Sequence, residues 1–175
     1  MEAQYLIRQA TTEDRDGLSL LKFRSMQNLY KGYLPEKNLA KLSETYAEDV
    51  VDAWLEDGTC QVGVLDRGSS IDGYVVCQPD RELQGYGLIL DAGASETLDS
   101  QGKHELTTWA VNNLRDHGLR YAHIWLLQDN LRGRFMYEAF GFKAQKELKQ
   151  IQRADYTMAV RHYVYPLENE SGRNG

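Results

Sequence analysis

The chain has 175 residues, enough for one hydrophobic core of ordinary size, and its 42% apolar and 26% charged residues are those of a soluble globular protein. A formal net charge of -6 and a pI of about 5.2 argue against broad binding to nucleic acid or to an anionic membrane, both of which need a basic surface. No apolar run approaches the roughly 20 residues that span a bilayer, and Met1-Glu2-Ala3-Gln4 lacks the basic and apolar regions of a signal peptide. The expectation is a cytoplasmic protein with neither nucleic acid nor membrane as a partner.

Tyr5–Ala10 reads as a first strand, and Thr11-Thr12-Glu13-Asp14 caps a helix and places acids at its positive end. Leu18, Leu21 and Met26 form part of that helix's buried stripe, and Tyr30–Pro35 breaks it. A second helical region is predicted over Glu36–Asp57, with an interruption near Ser43 and a stripe of Leu39, Leu42, Tyr46, Val50 and Trp54 at three- and four-residue steps. Gly58 ends it. Thr59–Leu65 and Ile71–Cys77 form a hairpin around Asp66–Ser70, and Leu83–Asp91 is a third β-rich run. Ala92–Ser100 reads as a loop. Gly102–His117 reads as a helix with Leu106, Ala110 and Leu114 on one face, closed by Gly118. Tyr121–Leu127 is apolar almost throughout, as expected of a strand covered on both faces. A short helix follows Gln128-Asp129-Asn130 and stops at Gly141. Phe142–Leu148 and Tyr156–Tyr165 complete the sheet, and residues 168–175 form a polar tail to a single domain over 1–167.

This order predicts a mixed α/β fold: a mostly antiparallel sheet of six to seven strands, helices on both faces, and one right-handed βαβ unit made by Leu88–Leu90, the Gly102 helix and Tyr121–Leu127. If Gly68-Ser69 centres the hairpin turn, Cys60 opposes Cys77 and a disulfide is conceivable. The preferred reading is two small buried thiols, reduced in the cytosol. A zinc site needs more ligands than these cysteines, and His104, His117, His123 and His162 lack metal-like spacing, so no metal is expected.

The stretch Leu126-Leu127-Gln128-Asp129-Asn130 with Phe135-Met136-Tyr137-Glu138-Ala139-Phe140-Gly141-Phe142 resembles the GCN5-related N-acetyltransferase (GNAT) superfamily. The resemblance extends from about Tyr5 to Tyr165. It implies acetyl-CoA as acyl donor, wedged between two splayed parallel strands, and a primary amine on a small molecule or peptide as acceptor. Leu88-Ile89-Leu90 would pair with the pantetheine amides, and Asn130 would lie beside the ligand. Tyr137 matches the general acid that protonates the leaving thiolate. Read without the resemblance, Asn130 is a helix N-cap and Tyr137 a packed tyrosine. Arg132 and Arg134 could reach phosphates or face solvent; Phe135, Phe140 and Phe142 read as core. Tyr30, Tyr33 and Trp54 would wall the amine pocket. Glu82 and Asp91 are candidate bases, with water as the alternative.

The upstream half departs from the resemblance. Its phosphate loop should run Gln/Arg-x-x-Gly-x-Gly/Ala at a helix start, where glycines and free amides admit pyrophosphate. Here the loop is degenerate, Asp99-Ser100-Gln101-Gly102-Lys103-His104: Gly102 fits, Asp99 replaces a Gln or Arg, and His104 replaces a small residue. Three readings stay open. Gly102, Lys103 and His104 still bind pyrophosphate; the acyl donor is altered; or the fold serves as a non-catalytic ligand-binding or interaction module. A homodimer that buries this half is a further reading.

Overall fold

The computed structural model describes residues 4–153 and 156–168. Residues 1–3 of the Met1–Gln4 stretch, read as lacking signal-peptide features, and the polar tail from residue 169 onward lie outside the described residues. Seven strands form one sheet: β1 (Leu6–Gln9), β2 (Gln61–Asp66), β3 (Ile71–Pro79), β4 (Tyr86–Ala94), β5 (Tyr121–Leu127), β6 (Lys143–Arg153) and β7 (Tyr156–Pro166). Their spatial order is β1-β2-β3-β4-β5-β7-β6. Only β4 and β5 run parallel; the other neighbouring pairs are antiparallel. The helices are α1 (Arg15–Tyr30), α2 (Glu36–Leu39), α3 (Glu44–Glu56), α4 (Ser100–Asp116) and α5 (Leu131–Phe140). The expected mixed sheet with one βαβ unit, β4-α4-β5, is therefore present.

Alternation along the strands sends side chains to two cores. Val75, Cys77, Ile89, Ala122, Ile124, Leu126 and Tyr163 face α4 and α5, where Leu106, Ala110, Val111, Leu114 and Tyr137 meet them. On the other face Val62, Val64, Tyr74 and Val76 pack under Leu18, Leu21, Val51 and Trp54 of α1 and α3. Leu127, Met158 and Val160 lie under Met26, Tyr30, Leu34 and Leu42. The break near Ser43 is real: the Ser43 hydroxyl caps α3 by accepting from the Tyr46 N–H at 3.1 Å. That break resets the helical phase, so the buried stripe of α3 is Ala47, Val51 and Trp54, while Tyr46 is 40% exposed and Val50 half-buried.

Two registers differ from the expectation. Near the hairpin turn Asp66 pairs with Ile71, as a turn centred on Gly68-Ser69 requires, but a bulge follows and Gln61, not Cys60, pairs with Cys77. A one-residue slip reverses the faces. Cys77 enters the core under α4 and Cys60 the core under α3, so the two thiols do not face each other. Burial pushes the Cys77 thiol up to about 12. The third strand also runs later than predicted, from Tyr86 to Ala94, because Asp91, Ala92, Gly93 and Ala94 find ladder partners in Val76, Val75, Tyr74 and Gly73. Tertiary pairing overrides the weak β preference of Asp-Ala-Gly-Ala.

Candidate active site

The sheet opens at the middle of its parallel pair. Tyr86, Gly87 and Leu88 of β4 pair with Tyr121, Ala122 and His123 of β5, and no β4–β5 pairing is found beyond Leu88 among the described residues. From there β4 follows β3, whereas Ile124–Leu127 follow β7. A second bulge sits at the point of parting: Val76 pairs with Asp91 and Cys77 with Ile89, leaving Leu90 unpaired and 42% exposed. A bulge bends its strand and increases the local twist, a physical cause for the separation. The β5-facing edge of β4 beyond Leu88 therefore offers peptide groups to an extended amide ligand.

Tyr137 lies 3% exposed in the core that also holds Ile89 of β4 and Ile124 and Leu126 of β5, edge-on to Phe142 at 5.2 Å. Its hydroxyl has no hydrogen-bond partner, alone among buried side-chain polar atoms of the described residues. Burial, with a smaller push from the Asp91 carboxylate, raises its pKa well above the usual tyrosine value, so the phenol stays protonated at neutral pH. Asp91 itself accepts from Lys22 Nζ at 2.5 Å and from the Tyr74 hydroxyl at 3.3 Å. One of its oxygens also accepts from the Ala92 N–H at 2.9 Å. A carboxylate so engaged is poorly placed to take a proton from an amine. Glu82, the other candidate base, is exposed on the turn before β4.

Solved structures share this architecture. An acetyltransferase of the GNAT family from Streptococcus pneumoniae superposes with a TM-score of 0.67 at 14% identity, covering 94% of this chain and 100% of the other. The fold is that of the GNAT acetyltransferases. YncA of Salmonella typhimurium, solved with its cofactor acetyl-CoA, matches with a TM-score of 0.71 at 13% identity over 95% of this chain and 96% of its own. The PaiA N-acetyltransferase of Thermoplasma acidophilum, solved in complex with coenzyme A, matches with a TM-score of 0.66 at 17% identity over 90% and 99%. No family model and no curated protein sequence matches the chain.

Within this GNAT fold the expected site residues divide. Leu88 is the last residue still paired to β5, so the free edge begins at Ile89 and passes Leu90. Asn130 caps α5, its Oδ1 accepting from the Gly133 N–H at 3.1 Å. The Arg134 guanidinium is already committed: it donates to the Tyr163 hydroxyl and to the Gln128 carbonyl, each at 2.8 Å. Tyr163 in turn donates to Glu138 at 2.9 Å. These two bonds pin α5 to β7 through Nε and Nη1, and a phosphate contact of the kind expected of Arg134 would fall to Nη2. Phe135 is 68% exposed rather than core, and Leu131, one turn earlier, is 58% exposed.

The start of α4 is capped by its own residue. Asp99 is the N-cap: its Oδ1 accepts from the Gly102 N–H at 2.8 Å and its carbonyl from the Lys103 N–H at 3.2 Å. Gly102 itself is buried, and an added Cβ would lie 2.5 Å from Leu98 Cδ1 and 3.2 Å from Leu65 Cδ1. The absence of a side chain at Gly102 lets α4 pack closely against Leu98 and Leu65. The His104 ring lies 4.9 Å from Phe140, bridging α4 and α5. The Gly102 and Lys103 amides thus have partners within the chain, the first through the Asp99 cap and the second through an ordinary helical bond.

The aromatic wall is also divided. Tyr33 lines a cleft of about 240 Å³ with Leu127, Gln128, Asp129 and the backbone stretch Tyr156–Ala159, and its hydroxyl donates to the Asp129 carbonyl at 2.9 Å. Tyr30 is buried beneath this region beside Leu127 and Met158. Trp54 belongs to the separate core over β2 and β3, 5.7 Å from Tyr74, and does not join Tyr33. The sequence provides the apolar residue at position 54, but the reset at Ser43 decides which core it enters. No group of three or more potential metal ligands occurs among the described residues.

Proposed function

We propose that the chain is an N-acetyltransferase that moves an acetyl group from acetyl-CoA to a primary amine. The observation that carries this reading is the β4–β5 opening together with the orphaned phenol of Tyr137, which packs in one core with Ile89, Ile124 and Leu126 of the two parting strands. An extended pantetheine along Ile89–Ala94 would bring its thioester into the gap, and the amine would enter from the Tyr33 side. The amine nitrogen attacks the thioester carbon, the carbonyl oxygen takes the electron pair, and collapse breaks the C–S bond. The products are the amide and the thiol of CoA, the thiol proton coming in net from the attacking amine. Tyr137, held protonated, donates a hydrogen bond to the departing sulfur and serves as its general acid. Structures of the same fold that hold CoA or acetyl-CoA support the donor.

A second reading has its own support. The Asp99 carboxylate on the Gly102 amide occupies the position where a pyrophosphate would need free donors. A non-catalytic GNAT-like module, which holds another ligand or a protein, fits that closure. Thermal unfolding with acetyl-CoA separates the two. At 100 times its dissociation constant the donor should stabilise the fold by about 2.7 kcal/mol. The same melting temperature with and without millimolar acetyl-CoA would leave the second reading standing.

A further inference from the structure

The sheet carries a buried line of ionisable side chains that the proposed reaction does not use. Asp80, just past the end of β3, meets His123 Nε2 at 2.7 Å. His123 Nδ1 meets His162 Nε2 at 2.8 Å, and His162 Nδ1 meets Glu147 Oε2 at 3.2 Å. The line therefore crosses from β3 through β5 and β7 to the edge strand β6. The two rings are 1% and 6% exposed, whereas the Glu147 side chain is 70% exposed. Tyr86 stands edge-on to His123 at 5.1 Å, Trp125 stacks on His162 at 4.3 Å, and Lys149 Nζ lies 4.2 Å from the Trp125 ring centre.

Counting protons constrains this line. Its three links each need one hydrogen on a ring nitrogen, because an ionised carboxylate only accepts. Two neutral imidazoles carry two such hydrogens, so one link must lack its proton. Asp80 is held in place by the N–H groups of Glu82 and Leu83 at 2.8 and 2.9 Å, while Glu147 can turn into water. The missing hydrogen therefore falls between His162 and Glu147, where a ring lone pair then faces a carboxylate. One added proton completes the line. A second would set N–H against N–H in the central link and place two cations side by side.

The link that this proton controls lies at an irregularity in the sheet. The β6–β7 register shifts between Ala144 and Leu148, so Gln145, Lys146 and Glu147 have no ladder partner in β7. Arg161 Nη1 also ties this segment to β7, donating to the Gln145 carbonyl at 3.0 Å. We propose that Asp80, His123, His162 and Glu147 form a one-proton latch: uptake of a single proton closes the His162–Glu147 link and fastens the bulged segment of edge strand β6 onto β7. The charged groups acting on the rings are Asp80 and Glu147, which favour the proton, and Lys149, which opposes it. Burial is the largest influence and pulls both rings below their ordinary value, so the latch closes on the acid side of about 6.5.

The test is an NMR titration of the imidazole nitrogens in the full chain, with amide hydrogen exchange of residues 145–147 corrected for its intrinsic pH dependence. Both rings should move through one shared step that takes up one proton, and exchange should slow through the same step. Glu147→Gln satisfies His162 Nδ1 in either state. It should lower the midpoint by about half a pH unit and remove the pH dependence of exchange. Lys149→Ala should raise the midpoint. Two independent ring titrations, or a midpoint indifferent to both substitutions, would overturn the latch.

Discussion

A hydroxyl buried without a partner costs stability, so the Tyr137 phenol is expensive to the folded chain as it stands. Two consequences follow at this residue, with opposite signs. Tyr137→Phe removes the unpaired oxygen, and the variant should be as stable as the parent or up to about 1 kcal/mol more so by denaturant unfolding. If the phenol assists the leaving sulfur, the same variant should lose about 100-fold or more in turnover while acetyl-CoA binds as before. Unchanged turnover would remove Tyr137 from the chemistry and leave it a packing residue. At Gly102 the expected effect is on folding. The alanine Cβ would press on Leu98 and Leu65, so Gly102→Ala should destabilise by about 1–3 kcal/mol, read from the denaturant midpoint at unchanged m.

Among the elements, β4 determines most of the site. It leaves β5 after Leu88 at a bulge, and it continues to Ala94 because β3 supplies partners there. α3 shows the converse, an element whose break was readable from Ser43 but whose buried face was not. Trp54 follows from that phase: it is 7% exposed and packs on Tyr74, with Lys22 Nζ 5.6 Å from its ring centre. Trp54→Ala should cost about 3–5 kcal/mol in unfolding free energy. It should leave the KM for the amine within about twofold in a variant still folded at the assay temperature. A large rise in KM would return Trp54 to the amine pocket. The cap of α5, Asn130, was legible from its position before the helix, whereas Asp99, read as part of a phosphate loop ahead of a helix starting at Gly102, proves to cap a helix that starts at Ser100. The commitment of Arg134 to Tyr163 was not, because Tyr163 is distant in sequence and reaches α5 only through the pairing of β7 with β5.

For the whole molecule the pH dependence of stability is set first by the buried histidine pair. Both rings titrate below their unfolded value because burial disfavours their charge. A lowered histidine contributes stability that is fully present above about pH 6.5 and is lost as the pH falls. The carboxylates act lower. Asp14, lowered chiefly by its hydrogen bonds from Arg8, and Asp66, lowered chiefly by the Gly68 N–H, contribute stability that is lost only near and below about pH 4. If the unfolded rings take two protons and the folded line takes one, stability should fall by about 1.4 kcal/mol per pH unit below the midpoint of the latch, and by up to about twice that between about pH 6.5 and the midpoint. The melting temperature should therefore begin to drop near pH 6.5, well before the carboxylates titrate. A melting temperature flat from pH 7 to 5 would contradict this.

The sequence by itself determined the order of the elements, the βαβ crossover, the Asn130 helix cap and the phenol in the helix after β5. Each of these rests on local chemistry: hydrophobic period, a capping side chain, a glycine at φ 123° in Gly141. Only the tertiary structure decided which strand edges are free, which charges are already paired, and which aromatic residues share a wall. Those depend on bulges in β2–β3, β3–β4 and β6–β7, each of which shifts a register by one or more residues. A bulge is stabilised by partners from other strands, so its position cannot be read from a single strand. The Asp80–His123–His162–Glu147 line, drawn from four separate segments, exists only because those registers bring its members together.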